Sequence, residues 1–418
     1  MTAGEGPPTD VEFRREPAQV RFHVMCKPVG AACNLACAYC YYLSKKELLG
    51  QEGAPRISDR VLEEYVRQYI QGQTNAPEVV FSWQGGEPTL LGVDFFRNVV
   101  ALQKRYAGGV RVENDLQTNG TLLDDEWCRF LRENNFLVGL SVDGPGHLHD
   151  IYRKDKAGRG SHGRVCEGAE KLRRFGVRFN TLTAVNRVNA REPLLVYRFL
   201  RDRIGATQMQ FIPIVEPKGF EATAPQLWPV EAMPTLGSPA ARPGGADAAV
   251  TDWSVDADDW GTFLCAIFDE WYKRDVGRVW VYLFESAVYT AGGDYAPLCA
   301  LAPVCGKCLA LEHDGDLYAC DHYVYPAYRL GNILEKPLAA QVFSPRQRDF
   351  AYGKQQLTAT CRKCRYLTWC YGECCKNRFL RTSDGEPGHN YLCAGYKKFF
   401  AHVESRVREL AAGAPPRQ

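Results

Sequence analysis

The sequence predicts an α/β protein whose first half is a partial (β/α)6 barrel of the TIM type. Short β-branched or aromatic runs alternate with longer amphipathic stretches over residues 20–216. A polar or glycine-rich segment follows each of the short runs. Parallel strands joined by helices bring such segments to one end of the sheet, which is where barrel enzymes hold their active sites. The α/β class is therefore expected, followed by a small cysteine-rich domain.

Six strands and five helices are predicted in the barrel region. Residue types that begin helices stand before four of the helical patterns, at Ser58, Asp94, Asp124 and Glu192, the last followed by proline. The helical patterns lie near 58–71, 94–107, 124–135, 164–175 and 192–204. The strands are expected at Val20–Met25, Glu78–Trp83, Val110–Gln117, Leu137–Val142, Val177–Thr183 and Gln208–Ile214.

The rest of the chain divides by composition. A polar N-terminal tail covers residues 1–19, and the proline- and alanine-rich residues 217–258 predict a long surface insertion with little periodicity. A helical linker is expected at 259–294, and a cysteine-rich domain with short helices at 295–395. That domain contains an Asp314-Gly315 signal for a β-hairpin. A C-terminal helix and tail occupy 396–418.

Composition and charge limit the partners and the compartment. The chain has 418 residues and a formal net charge of +2, so no strong field attracts nucleic acid or an anionic membrane. No apolar run approaches the ~20 residues of a membrane span, and the N-terminus lacks the apolar core of a secretory signal. A cytoplasmic location is therefore expected. In that reducing compartment, the 17 cysteines indicate metal or redox ligands.

The first cysteine cluster, Cys33, Cys37 and Cys40, forms a CxxxCxxC run directly after a predicted strand. Three thiolates hold a [4Fe–4S] cubane with one iron left open for another ligand. The alternative is a structural zinc site, in which Cys26 or His23 would complete the tetrahedron.

Together with a second motif, this run resembles the signature of radical S-adenosylmethionine (SAM) enzymes. An aromatic residue precedes the last cysteine, and Gly85-Gly86-Glu87-Pro88 follows the second strand, as in that superfamily. The resemblance implies a [4Fe–4S] cluster on Cys33, Cys37 and Cys40 whose open iron binds SAM. It also implies contacts to the cofactor from Tyr39, Gly85, Gly86, Glu87, Pro88 and Ser141.

The C-terminal cysteines are similar to those of the SPASM extension of radical SAM enzymes, which holds two auxiliary [4Fe–4S] clusters. By position, the resemblance implies that the first is held by Cys299, Cys305, Cys320 and Cys374, and the second by Cys361, Cys364, Cys370 and Cys393. Taken alone, part of this spacing also fits a zinc ribbon. Cys308 is an alternative to Cys305. The cofactors expected are SAM and three [4Fe–4S] clusters.

A narrower resemblance covers residues 20–400. The segments 83–90, 117–122, 141–145 and 320–324 are similar to those of anaerobic sulfatase-maturating enzymes. The resemblance implies oxidation of a Cys or Ser in a sulfatase to Cα-formylglycine, with Asp321 as the general base. It also implies a protein or peptide substrate and an electron donor such as flavodoxin or ferredoxin.

Two other functions are compatible with the cysteines. A SPASM-type enzyme that makes a thioether or carbon–carbon crosslink in a ribosomal peptide would keep all eleven ligands and the GGEP motif. A zinc-stabilised adaptor without catalysis would keep only the thiols.

Overall fold

The structure is a computed structural model that describes residues 21–51, 53–74, 76–306 and 308–413. Its centre is a ten-stranded sheet in the order β10-β9-β8-β1-β2-β3-β4-β5-β6-β7, beside a separate pair of strands, β11 and β12. The strands are β1 (Val24–Lys27), β2 (Glu78–Trp83), β3 (Arg111–Thr118), β4 (Leu137–Ser141), β5 (Arg178–Val185), β6 (Gln208–Pro213), β7 (Trp280–Val281), β8 (Leu309–Glu312), β9 (Asp316–Tyr318), β10 (Arg329–Asn332), β11 (Leu380–Arg381) and β12 (Pro387–His389).

The predicted barrel region is confirmed as a parallel α/β sheet. Strands β1 to β6 pair in parallel and in sequence order, and each overlaps a predicted strand. The sheet is open, because its edge strands β7 and β10 do not pair with each other. The beginning of the first predicted strand and the N-terminal tail lie outside the described residues. The C-terminal ends of β1 to β6 therefore meet at one edge of the sheet, as expected.

Helices alternate with these strands. Ser58 and Asp124 begin helices as predicted, since their side chains accept hydrogen bonds from the backbone of Val61 and Trp127. The prediction for Asp94 is wrong, because that helix begins at Gly92. Glu192 stands directly before the helix that begins at Pro193, as predicted, although its side chain makes no capping hydrogen bond. The helices are α1 (Lys45–Leu48), α2 (Asp59–Gln71), α3 (Gly92–Tyr106), α4 (Asp125–Glu133), α5 (Gly146–Tyr152), α6 (His162–Arg174), α7 (Pro193–Arg198), α8 (Ala257–Arg274), α9 (Tyr282–Ala291), α10 (Leu338–Val342), α11 (Pro345–Gly353), α12 (Ala359–Arg362), α13 (Leu367–Cys370) and α14 (Cys393–Gly413).

The cysteine-rich region adds strands to the same sheet. Strand β8 pairs in parallel with β1, and the predicted hairpin at Asp314-Gly315 joins β8 to β9. Gly315 has a φ of +92°, which glycine adopts without strain. Because β8 covers the outer edge of β1, the two cysteine-containing regions share one sheet. The domain boundaries given by composition stay predictions.

The proline- and alanine-rich segment 217–258, predicted to be a surface insertion, is exposed over much of its length but has several buried apolar side chains. Phe220, Met233 and Val250 are buried, and the segment contacts the cysteine-rich region. Leu236 N donates to the carbonyl of Arg381 over 2.8 Å. The segment lacks helical or strand periodicity because it is made of short 3-10 turns, yet it is packed.

The C-terminal helix closes the structure. Helix α14 packs on α8 and α9 through the aromatic rings of Phe268, Phe284 and Phe399, whose centroids lie 5.2–6.2 Å apart. None of the described helices is both long and apolar enough to cross a bilayer.

Candidate active site

The cysteines of the first cluster lie on a loop that leaves the C-terminal end of β1. The amide of Leu35 donates to Cys33 Sγ over 3.3 Å, and the Asn119 side chain donates to the same sulfur over 3.8 Å. Burial, together with the charges of the other two thiols, raises the pKa of Cys37 to about 12. The three thiols of Cys33, Cys37 and Cys40 are therefore close enough to interact. The donors aimed at Cys33 suit a thiolate that ligates a cluster.

The glycines after β2 lie against this loop. A Cβ on Gly86 would come within 1.9 Å of the carbonyl oxygen of Ala32, so no larger residue fits there. Gly86 N donates to the carbonyl of Gly30 over 2.8 Å, and Glu87 N donates to the carbonyl of Ala32 over 2.8 Å. Gly85 has a φ of +114°, a left-handed conformation that favours glycine. The predicted GGEP segment and the cluster loop therefore form one unit.

Glu87 connects the ends of two strands. It is fully buried and accepts hydrogen bonds from Thr89, from the hydroxyl of Thr118 and from the amide of Asn119. Burial raises the pKa of Glu87, and these hydrogen bonds oppose the shift. No arginine pairs with it among the described residues. Its side chain therefore holds β3 beside the GGEP turn, and Pro88 begins the short 3-10 helix that follows.

Tyr39 and Ser141 lie near the end of β4. The Tyr39 hydroxyl donates to Asp143, whose carboxylate also accepts from Arg153 Nε over 2.9 Å. Ser141 is half-buried and accepts a hydrogen bond from Gln117 over 2.8 Å. Tyr39 therefore fastens the cluster loop to the sheet with its side chain, while Ser141 is turned toward a neighbouring strand end.

Asp321, the predicted base, is held by residues that the sequence did not single out. Lys27 Nζ lies 2.5 Å from Asp321 Oδ1, and the Tyr41 hydroxyl donates to Oδ2 over 2.7 Å. Burial alone would raise the pKa of Asp321, but Lys27, His322 and the hydrogen bonds outweigh it and lower the pKa to about 2. Asp321 is therefore a carboxylate at neutral pH, and its side chain keeps 15% exposure.

The neighbours of Asp321 come from both cysteine regions. Lys27 ends β1, and Tyr41 follows the cluster ligand candidate Cys40. The His322 ring lies 5.1 Å from that of Tyr41, and burial lowers the pKa of His322 to about 4, so the ring is neutral. Its buried Nδ1 has no hydrogen-bond partner among the described residues. A base, a cation and an unpartnered nitrogen are thus gathered beside the first cluster loop.

Six thiols meet where the first auxiliary cluster is expected. Cys308 lies close enough to Cys299 to lower the pKa of the Cys299 thiol, and Cys305 Sγ lies 3.8 Å from Cys375 Sγ. Cys320 and Cys374 complete the group, because the charges of Cys374 and Cys299 contribute to the raised pKa of Cys320, after burial. Cys308 and Cys375 thus accompany the four predicted ligands, and the choice among the six stays a prediction.

The four cysteines predicted to hold the second auxiliary cluster line one cavity. Its wall also includes Tyr396 and Phe400 of α14 and the buried His389. The His389 Nδ1 lies 3.9 Å from Cys361 Sγ. A cavity with four thiols in an aromatic wall fits a cluster of four irons. The thiols are Cys361, Cys364, Cys370 and Cys393.

No three His, Cys, Asp or Glu side chains of the described residues are arranged to hold a single metal ion. All 17 cysteines are free thiols.

Comparisons with known proteins agree with this geometry. A model of the radical SAM superfamily matches residues 28–200, and one of an iron–sulfur cluster-binding domain matches residues 299–365. The chain is 45% identical to a serine-type anaerobic sulfatase-maturating enzyme of Bacteroides thetaiotaomicron over 382 aligned residues. The alignment covers 91% of this chain and 89% of that protein. A cysteine-type enzyme of Clostridium perfringens is 30% identical over 395 residues, 93% of this chain and 98% of that protein.

Solved structures give the same result. The structure of anSMEcpe with bound AdoMet and the Kp18Cys peptide has a TM-score of 0.80 and 30% identity, and the match covers 94% of this chain and 99% of that chain. Streptococcus suis SuiB bound to S-adenosylmethionine, at 14% identity and a TM-score of 0.59, shares the fold.

Proposed function

Because the chain belongs to the family of anaerobic sulfatase-maturating enzymes, we propose that it oxidises a serine of a sulfatase-type protein to Cα-formylglycine, with Asp321 as the base. The enzyme is a radical SAM oxidoreductase that uses SAM and [4Fe–4S] clusters. The observation that carries the proposal is the paired, ionised carboxylate of Asp321 beside the first cluster loop.

Serine is the proposed target because of the relatives. The relative from Bacteroides thetaiotaomicron, at 45% identity, is named a serine-type enzyme, as is the one from Klebsiella aerogenes at 37%. The cysteine-type relative from Clostridium perfringens is at 30%. A cytoplasmic location belongs to the same proposal, because 17 free thiols suit a reducing compartment. An electron donor such as flavodoxin or ferredoxin also belongs to it, because the first cluster has to be reduced before SAM is cleaved.

The proposed ligands are the eleven predicted cysteines. The first cluster is assigned to Cys33, Cys37 and Cys40, since these thiols converge beside the GGEP turn and leave one iron for SAM. The SAM pocket is assigned to Tyr39, Gly85, Gly86, Glu87, Pro88 and Ser141. The auxiliary clusters are assigned to Cys299, Cys305, Cys320 and Cys374, and to Cys361, Cys364, Cys370 and Cys393. When bound, these groups supply hydrogen-atom abstraction at the substrate carbon and take up the surplus electron.

Asp321 then takes the hydroxyl proton of the substrate. With a pKa of about 2, it is a weak base, but it is ionised across the physiological pH range. Once the serine carbon has lost a hydrogen atom and an electron, its O–H is strongly acidic, because losing the proton forms a C=O bond. A weak base at the right position is sufficient for this step. Lys27 and Tyr41 orient the carboxylate, which is held from both oxygens.

A matched pair of substitutions tests the role of Asp321. In Asp321→Asn the side chain keeps its shape but loses its charge, so peptide oxidation falls by about 100-fold or more, while SAM cleavage to 5′-deoxyadenosine persists. Asp314→Asn makes the same chemical change at the exposed hairpin turn of the same region and leaves both rates unaltered. Mass spectrometry of the peptide and chromatography of 5′-deoxyadenosine give the two rates. Wild-type peptide oxidation in Asp321→Asn would remove Asp321 from the mechanism.

A further inference from the structure

A group of four cations, three of them exposed and one half-buried, lies beside the first cluster loop and takes no part in the function proposed above. This group, here called the basic face, consists of Lys154, Lys156, Arg159 and Arg164. Lys154, Lys156 and Arg159 belong to the segment between α5 and α6, and Arg164 lies in the first turn of α6. The loop with the three cysteines of the first cluster is joined to this segment by its backbone.

The backbone contacts between the loop and the segment are direct. Ala36 N donates to the carbonyl of Lys154 over 2.8 Å, and Ala38 N donates to the carbonyl of Tyr152 over 3.0 Å. Leu35 also forms a bridge with Asp155. Because Ala36 and Ala38 lie between the cysteines of the first cluster, a molecule seated on the basic face comes into contact with the cluster loop itself.

The basic face keeps an excess of positive charge. Asp155 is buried and pairs with both Arg159, at 3.0 Å, and Arg164, at 3.3 Å. Lys154 and Lys156 are exposed, and neither has an ion-pair partner in the part of the chain that the structure describes. The nearby Asp150 accepts hydrogen bonds from the backbone amides of residues 161 and 162. Two guanidinium groups thus share one carboxylate, while both ammonium groups face solvent.

Exposed apolar side chains accompany these charges. Ala36, Ala38 and Ala157 are exposed, and Ile151 is 39% exposed. Electron-transfer complexes are transient and bury small interfaces, and complementary charge speeds their encounter. The excess of positive charge on the basic face favours a partner whose surface is acidic.

We propose that the basic face docks an acidic one-electron donor protein, of the flavodoxin or ferredoxin class, that reduces the first cluster. This inference rests on the proposed function, because that function requires the cluster on Cys33, Cys37 and Cys40 to be reduced. In the transfer, the donor is oxidised by one electron and the cluster is reduced by one, and no bond is made or broken.

Binding of an acidic flavodoxin to the anaerobic, cluster-loaded enzyme tests this inference. The double variant Lys154→Glu/Lys156→Glu reverses both unpaired charges, so the Kd for flavodoxin, measured by titration calorimetry, rises by about tenfold or more. The matched control Lys104→Glu/Lys336→Glu makes the same change in net charge at exposed lysines of α3 and of the turn after β10, and its Kd stays within about twofold of wild type. Added salt weakens wild-type binding, and it weakens binding to the basic-face variant much less.

A kinetic comparison separates this inference from the proposed function. SAM cleavage driven by dithionite, a small reductant, is equal in the wild type and in both variants, whereas cleavage driven by flavodoxin is slowed only in Lys154→Glu/Lys156→Glu. An unchanged flavodoxin Kd in that variant, or a higher KM for the peptide substrate instead, would overturn the docking proposal. Absence of SAM cleavage with dithionite in the wild type would instead contradict the proposed function.

Discussion

Removal of Lys27 tests how the structure prepares Asp321. In Lys27→Met the side chain keeps a similar length and apolar stem but loses the ammonium that lies 2.5 Å from Asp321 Oδ1. The substitution leaves the carboxylate, Tyr41 and the cysteines in place. Because Lys27 is only 2% exposed, methionine suits its buried surroundings.

The magnitude follows from the geometry. At 2.5 Å and an effective dielectric constant of ~20, the gross attraction between the two charges is about 7 kcal/mol. Burial opposes this attraction, His322 and the hydrogen bonds add to it, and together they lower the Asp321 pKa from 3.8 to about 2, which favours the ionised form by about 2 kcal/mol. Without the ammonium, burial dominates, and we expect the pKa of Asp321 to rise well above 3.8, far enough for the carboxylate to titrate within the assayed pH range.

The pH profile of peptide oxidation is the assay. A lowered pKa means that the ionised form of Asp321 is fully present above about pH 4 and is lost only as the pH falls through about 2, so the wild type shows no acid limb from Asp321 between pH 5 and 8. In Lys27→Met the rate falls toward pH 5, while SAM cleavage keeps its own profile.

Lys376→Met is the matched control, because Lys376 forms another buried ion pair, 2.8 Å from Glu216, and does not contact Asp321. We expect both Lys376→Met and Lys27→Met to lower the free energy of unfolding by roughly 3–5 kcal/mol. Only Lys27→Met should add an acid limb to the pH profile of peptide oxidation. Identical pH profiles for the wild type and Lys27→Met would refute the reasoning.

Three further predictions concern the same machinery. Gly86→Ala places a methyl group 1.9 Å from the carbonyl oxygen of Ala32 unless the backbone moves. We therefore expect the Kd for SAM, measured by equilibrium binding, to rise at least about tenfold, and an unchanged Kd would contradict the close approach. Cys305→Ser lowers the iron content from about twelve to about eight per chain while Cys308→Ser leaves it at about twelve, and the opposite result would assign Cys308 as the ligand. Tyr41→Phe removes one hydrogen bond to Asp321 and slows peptide oxidation about fivefold, whereas a wild-type rate would show that the hydroxyl is unnecessary.

The parallel half of the sheet could be predicted because its signals are local. Strands such as Glu78–Trp83 are short β-branched runs bounded by turn residues, and the structure has this one with the same bounds. The pairing of β8 with β1 could not be predicted, because it joins residues far apart in the chain and depends on the unfilled edge of β1. The packing of the segment 217–258 could not be predicted for the same reason, because the segment contacts the cysteine-rich region, which is distant in the sequence.

In the candidate site too, residues with a local sequence signal could be predicted, and residues brought together only by the fold could not. Asp321 could be predicted from its position after Cys320, and the cluster cysteines could be predicted from their spacing. Lys27 and Tyr41 were not, because an isolated lysine or tyrosine carries no pattern and only the fold brings them to Asp321. The one local signal was their place at the end of β1 and beside Cys40. The adaptor without catalysis, an alternative raised by the thiols alone, is set aside by membership of the enzyme family.

Oxidation of a defined peptide is the most direct test of the central claim. Reduced, cluster-loaded enzyme is incubated anaerobically with SAM and a Ser-x-Pro-x-Arg peptide, and the product mass and 5′-deoxyadenosine are measured together. The account predicts a peptide that has lost two hydrogen atoms and reacts with a hydrazine as an aldehyde does, in step with 5′-deoxyadenosine. A peptide of unchanged mass, or one that carries an internal crosslink in place of an aldehyde, would contradict it.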